Sequence, residues 1–231
     1  MSSTESNTEI SKHRYLVDLL IRFALGLTFA FMAGICLRGF ALQLQTLDLS
    51  NPQPYEIGRV LSVLAIALYT LMIACLYAVR LKPVSKFAGV IPSVAAVSGG
   101  FLMSALLLFS PRDDLPLWAK GVACFLVIIG NIFTVIILLR LGKSFSILPE
   151  GRRLVMRGPY AVVRHPLYLA EAVATLGAVI NFLSPWTLLL VGVQFALQII
   201  RIHYEEKVMK ETFPEYHDYA KRTWRLIPGI Y

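Results

Sequence analysis

The stretch LWAKGVACFLVIIGNIFTVIILL, residues 117–139, decides the fold class because 23 consecutive residues are almost all apolar. An α-helix rises about 1.5 Å per residue, so such a run can cross a bilayer core of roughly 30 Å. Runs of the same length occupy residues 57–79 and 87–109, and a longer run with a few charges occupies residues 15–44. The sequence therefore predicts an all-α, polytopic integral membrane protein with four long transmembrane helices.

The composition agrees with a chain that lies in a bilayer. Hydrophobic residues make up 57% of the 231 residues and charged residues only 16%, whereas soluble domains carry roughly 25% charged residues. The mean hydropathy is +0.66. The apolar residues come in long runs and not in the alternating or narrow amphipathic patterns of a soluble core. The three cysteines form no CxxC pair, so we expect neither a disulfide framework nor a zinc site.

The net charge of +8 is best explained by membrane topology. Lys and Arg cluster at the ends of the apolar runs, with 17 on one predicted side of the membrane and four on the other. The positive-inside rule then places the N-terminus, the 140–166 loop and the C-terminal tail in the cytoplasm. We expect attraction to anionic lipids as a secondary effect and no nucleic-acid partner.

The last apolar region, residues 167–200, is interrupted by NFLSPW at residues 181–186. The arms on either side, residues 167–180 and 185–200, are both short for a straight crossing. The sequence leaves two alternatives open, a re-entrant helical hairpin or two short spans. In both, the two outer ends emerge on the same side, and the chain continues as a helical cytoplasmic tail.

A turn and a helix start precede this region in GPYAVVRHPLYLAE, residues 158–171. Gly158-Pro159 is a turn signal. His165 followed by Pro166 predicts a helix start, because proline at the first helical position loses no hydrogen bond. The free N–H groups and the positive dipole end of that helix can bind an anion.

Tyr168 and Glu171 are three residues apart and share one face of the predicted helix. A simple structural explanation is that Arg164 and His165 anchor to lipid headgroups while Tyr168 belongs to an aromatic belt. Glu171 favours a functional explanation, because a carboxylate inside an apolar helix is expensive and usually faces a cavity or a partner.

A second polar set, Arg201, Glu205 and Glu206, follows the last apolar arm. Arg201 and Glu205 are four residues apart and can pair on one helix face, so an interfacial amphipathic helix would explain them. The two polar sets flank one hairpin and emerge on the same side. Together they predict a site for a zwitterionic or cationic small molecule at the membrane surface.

The motifs LGKSFS, GPYAVVRHPLYLAE and RIHYEEKVMKETFPEYHDYAKRTWRLIP, within residues 138–228, resemble those of the isoprenylcysteine carboxyl methyltransferases and the related phospholipid N-methyltransferases. The resemblance divides the chain into a polar tail at 1–14, spans at 15–137 and a catalytic region at 138–231. It implies a membrane methyltransferase that uses S-adenosylmethionine without a Rossmann domain, consistent with the missing G-x-G-x-x-G. It also implies a lipid or prenylated small-molecule or protein substrate, and no metal.

Eight residues are candidates for the site. The resemblance implies cofactor binding by His165, Pro166, Tyr168, Glu205 and Glu206, and we add Tyr160 to this group. Catalysis is assigned to Arg201 and Glu205. Substrate binding is assigned to Arg201, which matches the arginine expected near the substrate's carboxylate, and to Glu171, because of its place in an apolar helix.

The methyl acceptor decides which chemistry these residues perform. A carboxylate acceptor, such as a C-terminal isoprenylcysteine, needs no general base, and a planar guanidinium such as that of Arg201 can hold its charge. A phospholipid amine is the alternative acceptor. It must lose a proton, so Glu171, Glu205 or Glu206 would act as the base.

Two further alternatives fall outside methyl transfer. Sterol and steroid reductases resemble the same C-terminal region and use NADPH, whose 2′-phosphate Arg152, Arg153 and Arg157 could bind. A non-enzymatic membrane scaffold is the other alternative, and it leaves Glu171 and the acidic pair unexplained.

Overall fold

The computed structural model describes residues 3–51, 53–85 and 88–231, and throughout these ranges the chain is helical or irregular. The α-helices are α1 Ser3–Gln45, α2 Pro54–Val79, α3 Val90–Phe101, α4 Leu117–Leu141, α5 Pro166–Asn181, α6 Pro185–Thr212 and α7 Tyr216–Arg222. Short 3-10 helices occupy Leu102–Leu108, Gly142–Ser144 and Gly158–Ala161. The backbone of α1 is already helical at Ser3, within the segment predicted as a polar tail, whereas residues 1 and 2 lie outside the described ranges.

Within the described ranges, four helices are long and apolar enough to cross a membrane by length and composition. They are Leu16–Gln45, Pro54–Val79, Leu117–Ser144 and Pro185–Thr212. The predicted all-α, polytopic membrane class is therefore confirmed. Three of the four match predicted long spans, but the fourth is α6, which was predicted as a short arm, and not the segment 87–109.

The α-helix found within the span predicted at 87–109 is shorter than that span, because a pair of glycines interrupts it. The α-helix ends at Phe101 and gives way to a 3-10 helix, and glycine is a poor helix former. Neighbouring groups also approach closely here. A Cβ at Gly99 would lie 3.3 Å from Cδ of Arg201, and a Cβ at Gly100 would lie 3.6 Å from Ile147. The break leaves room for Arg201 beside α3.

Helix α6 is much longer than the arm predicted at 185–200. Ser184 caps its start, since the Ser184 hydroxyl accepts a hydrogen bond from the Thr187 N–H at 3.1 Å. The helix does not stop where the apolar run stops, and it continues with polar residues to Thr212. It ends next to Pro214, because the residue before a proline disfavours the helical conformation. At 28 residues, α6 spans about 42 Å, more than a bilayer core.

Backbone hydrogen bonds show which of the segments between helices lie together at each end of the helical bundle. The N–H of Arg112 donates to the carbonyl of Asn181 at 2.8 Å, which joins the α4 entry to the α5–α6 turn. At the opposite end, Leu81 donates to the carbonyl of Lys143 at 2.8 Å, and Val84 to that of Gly151 at 2.8 Å. We call this second end the motif end, because residues 142–165 lie there.

A buried charge network ties α1 to the motif end. Asp18 pairs with Arg80 at 2.7 Å and with Arg152 at 3.2 Å, and Arg152 also pairs with Glu150 at 2.7 Å. Arg22, four residues after Asp18 on the same helix, donates instead to the backbone carbonyl of Arg80. Two buried arginines brought in from distant segments compete better for the Asp18 carboxylate than a neighbour on the same helix.

Helices α4 and α5 touch through glycines, which sets the position of the α5 side chains. A Cβ at Gly130 would lie 2.5 Å from the backbone nitrogen of Ala174, and a Cβ at Gly177 would lie 2.6 Å from the carbonyl oxygen of Ala123. Backbone atoms cannot move aside as flexible side chains can. Even a methyl group would therefore force the two helices apart.

We expect Gly130→Ala to lower the free energy of unfolding by about 1–3 kcal/mol, the usual effect of overpacking. Gly121→Ala on the same helix is the matched control, because no atom lies within 4 Å of its added Cβ. The control should be neutral or stabilising by up to about 1 kcal/mol, since alanine is the better helix former. Thermal unfolding in detergent measures both, and equal midpoints would contradict the close helix contact.

Candidate functional site

One cavity of about 1030 Å³, including its open mouth, lies at the motif end. Its walls come from each of the helices α1 to α7 and from the connection between α4 and α5. Six of the eight predicted site residues line it, namely Tyr160, His165, Tyr168, Glu171, Arg201 and Glu205. The other two do not, since Pro166 begins α5 and Glu206 lies beyond His165. The structure thus brings both polar sets together around one space.

The predicted turn and helix start are both confirmed. Gly158 has φ +65°, a conformation that favours glycine, and it begins a 3-10 turn that ends at Ala161. Pro166 occupies the first turn of α5 directly after His165. The backbone carbonyl of Tyr160 accepts a hydrogen bond from the Tyr219 hydroxyl at 2.7 Å. Burial raises the pKa of Tyr219 to about 12, so this phenol is a neutral donor at physiological pH.

The C-terminal segment holds the entry to α5 through backbone hydrogen bonds. The N–H of Arg164 donates to the carbonyl of Trp224 at 2.8 Å, and that of His165 to the carbonyl of Arg225 at 3.1 Å. In return, Trp224 donates to the carbonyl of Val162 at 3.0 Å. The position of His165 therefore depends on residues almost at the end of the chain.

Arg201 lies against Tyr168 in the cavity wall and is only 7% exposed. Its guanidinium carbon lies 4.9 Å from the centroid of the Tyr168 ring. Among the residues that the structure describes, its Nε has no hydrogen-bond partner, and the bond from its Nη2 to the carbonyl of Ile147 is long at 3.5 Å. Glu205, one turn further along α6, accepts a hydrogen bond from the Tyr168 hydroxyl. A buried guanidinium with donors to spare can bind an anionic ligand.

Glu206 is buried among basic groups behind the cavity. Its oxygens accept from Nε of Arg164 at 2.8 Å and from Nη2 of Arg225 at 2.9 Å, and Nε2 of His165 lies 3.4 Å away. The two acidic neighbours on α6 therefore differ in their surroundings. Glu205 faces the cavity, whereas the contacts of Glu206 tie α5 and the C-terminal segment to α6.

Glu171 lies in the cavity wall between two neutral groups that the sequence analysis missed. Its Oε1 is 3.4 Å from the hydroxyl of Tyr69 on α2, and its Oε2 is 3.3 Å from Nε2 of Gln198 on α6. A signal for α6 existed, since Gln194 and Gln198 are four residues apart within an apolar helix. No pattern within α2 distinguished Tyr69 from the other aromatic residues of the spans.

Comparison with known proteins finds a matching family and several related sequences, and it also finds a solved structure that aligns with the chain. Residues 118–216 match the family described as phospholipid methyltransferase. The protein-S-isoprenylcysteine O-methyltransferase B of Arabidopsis thaliana is 27% identical over 137 residues, covering 54% of this chain and 68% of that protein. A solved structure of the eukaryotic intramembrane Ras methyltransferase ICMT aligns with a TM-score of 0.45 and 20% identity, over 99% of this chain and 88% of the other.

Two other relatives have names that refer to metal resistance. The nickel-cobalt-cadmium resistance protein NccN of Alcaligenes xylosoxydans xylosoxydans is 36% identical over 82 residues, covering 35% of this chain. The cobalt-zinc-cadmium resistance protein CzcN of Cupriavidus metallidurans is 29% identical over 137 residues, covering 56% of this chain. The matches span 38% and 60% of these two relatives. Among the residues that the structure describes, no group of three or more His, Cys, Asp or Glu side chains could hold a metal ion.

The family match, residues 118–216, runs from α4 to the start of α7 and includes all eight predicted site residues. The division of the chain at residue 138 and the role of each site residue stay predictions. The resemblance inferred from the motifs is itself confirmed, because residues 118–216 of this chain match the phospholipid methyltransferase family and its relatives include an isoprenylcysteine O-methyltransferase.

Proposed function

We propose that the protein is a membrane-embedded, S-adenosylmethionine-dependent methyltransferase that methylates the carboxylate of a lipidated acceptor such as a C-terminal isoprenylcysteine. The observation that carries this proposal is the buried guanidinium of Arg201, whose Nε has no hydrogen-bond partner within the described part of the chain, in a cavity with polar and apolar walls. The family match and the Arabidopsis relative support the reaction class.

The cavity residues fit the proposed cofactor. When bound, S-adenosylmethionine supplies a methyl group on a positively charged sulfonium. A carboxylate and aromatic faces favour such a charge, and the cavity offers Glu205 together with Tyr160 and Tyr168. The first turn of α5, after Pro166, presents the backbone N–H groups of Leu167 and Tyr168, which can receive the carboxylate of the cofactor.

The residues of the chain then act by positioning. Arg201 would hold the acceptor carboxylate with a planar pair of N–H donors, which fixes both its place and its orientation. No group needs to remove a proton, because the acceptor is already ionised. Glu205, held by the Tyr168 hydroxyl, would lie beside the cofactor. Phe29 and Ile73 line the same cavity and would contact a hydrocarbon tail.

Phospholipid N-methylation is the second candidate, and the family match favours it. An amine acceptor must lose a proton, and Glu171 and Glu205 both line the cavity where a base would be needed. The alternative of a reductase that uses NADPH depends on three arginines that could bind the 2′-phosphate. One of them, Arg152, is not available for this role, because it is buried and paired with Asp18 and Glu150. Of the other two, Arg153 lines the cavity.

A parallel assay separates these candidates. Purified protein in detergent is given S-adenosylmethionine with a radiolabelled methyl group, and either a prenylcysteine analogue or a phospholipid extract as acceptor. We expect base-labile methyl ester on the prenylcysteine analogue. Label that appears only on lipid amines would favour the second candidate. Binding of NADPH without any binding of S-adenosylmethionine would contradict both.

We further propose that the motif end faces the cytoplasm. This orientation rests on the 17 Lys and Arg assigned to that side against four on the other. Single cysteines placed in the exposed part of the 140–166 loop should react with a membrane-impermeant reagent only after the cells are opened. Labelling of this loop in intact cells would contradict the proposed orientation of the motif end.

A further inference from the structure

One wall of the cavity carries polar side chains outside the eight predicted site residues. Ser144, Ser146 and Glu150, in the connection between α4 and α5, all line the cavity. The Ser144 hydroxyl is buried and has no hydrogen-bond partner within the described part of the chain. Buried polar groups normally have a partner, so this wall offers hydrogen bonds to a molecule in the cavity.

Glu150 is the acidic side chain of this wall, and its neighbours hold it by one oxygen. Its Oε2 accepts from the Ser146 hydroxyl at 2.9 Å and from Nη2 of Arg152 at 2.7 Å. Its Oε1 accepts no hydrogen bond from any residue that the structure describes. The side chain is 15% exposed and lines the cavity, so Oε1 can accept hydrogen bonds from a ligand.

The buried charge network fixes this carboxylate. Arg152 is 4% exposed, and the Nη2 that holds Glu150 also donates to Asp18 on α1 at 3.2 Å. A buried ion pair contributes little net stability, because both charges lose their water. Stability therefore does not explain why charged side chains from distant segments meet here, whereas the orientation of Glu150 toward the cavity does.

Glu150 lies at the outer end of the cavity. A Cβ at its neighbour Gly151 would lie 3.0 Å from Cγ2 of Thr212, the last residue of α6. Glu205 lies between Arg201 and Thr212 on this helix, and it is about 10 Å along the axis from Thr212. The proposed function puts the acceptor at Arg201 and the sulfonium beside Glu205. The adenosine part of the cofactor is then left with the outer end.

A ribose diol matches a carboxylate that can only accept. Its two neighbouring hydroxyl groups both donate, and one carboxylate oxygen has two lone-pair positions. The edge of adenine presents an amino donor beside a nitrogen acceptor, which suits the amide of Asn or Gln better. In dinucleotide-binding folds of other architecture, an acidic side chain binds the ribose hydroxyl in the same way.

We propose that Glu150, held by Ser146 and Arg152, binds the ribose hydroxyl groups of S-adenosylmethionine. This inference rests on the proposed function and assigns the nucleoside half of the cofactor to a wall outside the predicted site residues. Arg152 and Asp18 are positioning residues, because they act through Glu150. The unpartnered Ser144 hydroxyl is available to the same nucleoside.

Two ligands test the ribose subsite on the full-length protein in detergent. One is S-adenosylhomocysteine, the product that methyl transfer would leave. The other is its 2′,3′-dideoxyribose analogue, which keeps the adenine and the homocysteine but lacks both hydroxyl groups. A hydrogen bond to a charged group is worth about tenfold or more in binding. We expect the wild type to bind S-adenosylhomocysteine at least about tenfold more tightly, measured by calorimetric titration.

Variants assign this preference to Glu150, and the readout is the ratio of the two dissociation constants. A purely structural change weakens both ligands alike and leaves the ratio unchanged. Glu150→Gln keeps one acceptor oxygen but no charge, so the ratio should fall to about threefold or less. Glu150→Asp, which withdraws the carboxylate by one methylene, gives the same test if the first variant does not fold.

Two further variants complete the experiment. Arg152→Lys keeps a buried charge but not the planar fork, so the ratio should fall to a value between those of the wild type and Glu150→Gln. Glu211→Gln, an exposed change on α6, is the control and should keep the wild-type ratio.

Equal binding of the two ligands by the wild type would overturn the ribose subsite and leave the proposed methyl transfer standing. A wild-type ratio in both Glu150 variants would also overturn it, because another group would then hold the hydroxyl groups. A wild-type ratio in Arg152→Lys would contradict the positioning role of the charge network. If the wild type binds neither ligand, the proposed function fails, and the subsite fails with it.

Discussion

Replacing Arg201 with alanine is expected to lower kcat/KM for a prenylated carboxylate acceptor by about 10²–10³-fold. The guanidinium is 7% exposed and its Nε has no partner, so its spare donors are available to the acceptor. Two charge-assisted hydrogen bonds of about 1.5–3 kcal/mol each would account for a loss of this size. The measurement is a radiolabelled methyl-transfer assay over a range of acceptor concentrations, together with titration of S-adenosylmethionine.

The two ligands should respond differently to this change. Binding of S-adenosylmethionine should weaken by less than about tenfold, since we place the sulfonium beside Glu205 and not beside Arg201. Lys207→Ala is the matched control, because it removes one positive charge from an exposed position on the same helix. Arg201→Lys should recover only part of the activity, since an ammonium is a point charge and not a planar fork. Equal loss of acceptor and cofactor binding would contradict the role assigned to Arg201.

Part of this site was predictable from sequence because it depends on local rules. His165 followed by Pro166 predicts a helix start at any depth in a membrane, and the structure has one there. The fixed spacing of Arg201 and Glu205 predicts their place on one stretch of helix. The break at 181–186 returns the chain to the motif end, so both polar sets had to meet there.

The rest depends on contacts between distant segments. Tyr69 reaches Glu171 from a helix about a hundred residues earlier, and nothing within α2 marks that tyrosine. Asp18 forms ion pairs with Arg80 and Arg152, which are distant in sequence, although Arg22 is nearer along the chain. The length of α6 was underestimated because hydropathy measures the apolar run and not the helix. The polar residues after Ile200 continue the same backbone hydrogen bonds out of the apolar region.

Replacing Glu206 with alanine is expected to give the largest loss of stability at the motif end. Glu206 is 3% exposed and pairs with Arg164 at 2.8 Å and Arg225 at 2.9 Å. Removing one partner of a buried ion pair costs about 3–5 kcal/mol, because the remaining charges lose their counter-ion. The Arg225 side chain is 33% exposed, so water can compensate part of the loss. We therefore expect about 3 kcal/mol, measured by thermal unfolding in detergent.

The same change should also weaken binding of the cofactor. Arg225 belongs to the segment whose carbonyl groups hold the N–H groups of Arg164 and His165, so release of its side chain loosens the start of α5. Titration of the folded variant with S-adenosylmethionine measures this effect. Glu211→Gln on the same helix is exposed and should change neither stability nor cofactor binding. If the Glu206→Ala variant is destabilised but binds S-adenosylmethionine with unchanged affinity, the ion pairs of Glu206 stabilise the fold without contributing to cofactor binding.

A double-mutant cycle between Glu206→Gln and Arg225→Gln tests whether the side chains or the backbone hold the C-terminal segment. If the ion pair holds it, the double variant should lose clearly less stability than the sum of the single variants, since each single change already breaks the pair. Additive losses would mean that Trp224 and Arg225 are held by their backbone bonds alone. In that case the start of α5 would keep its position without Glu206, and the acidic residue would matter only through Arg164.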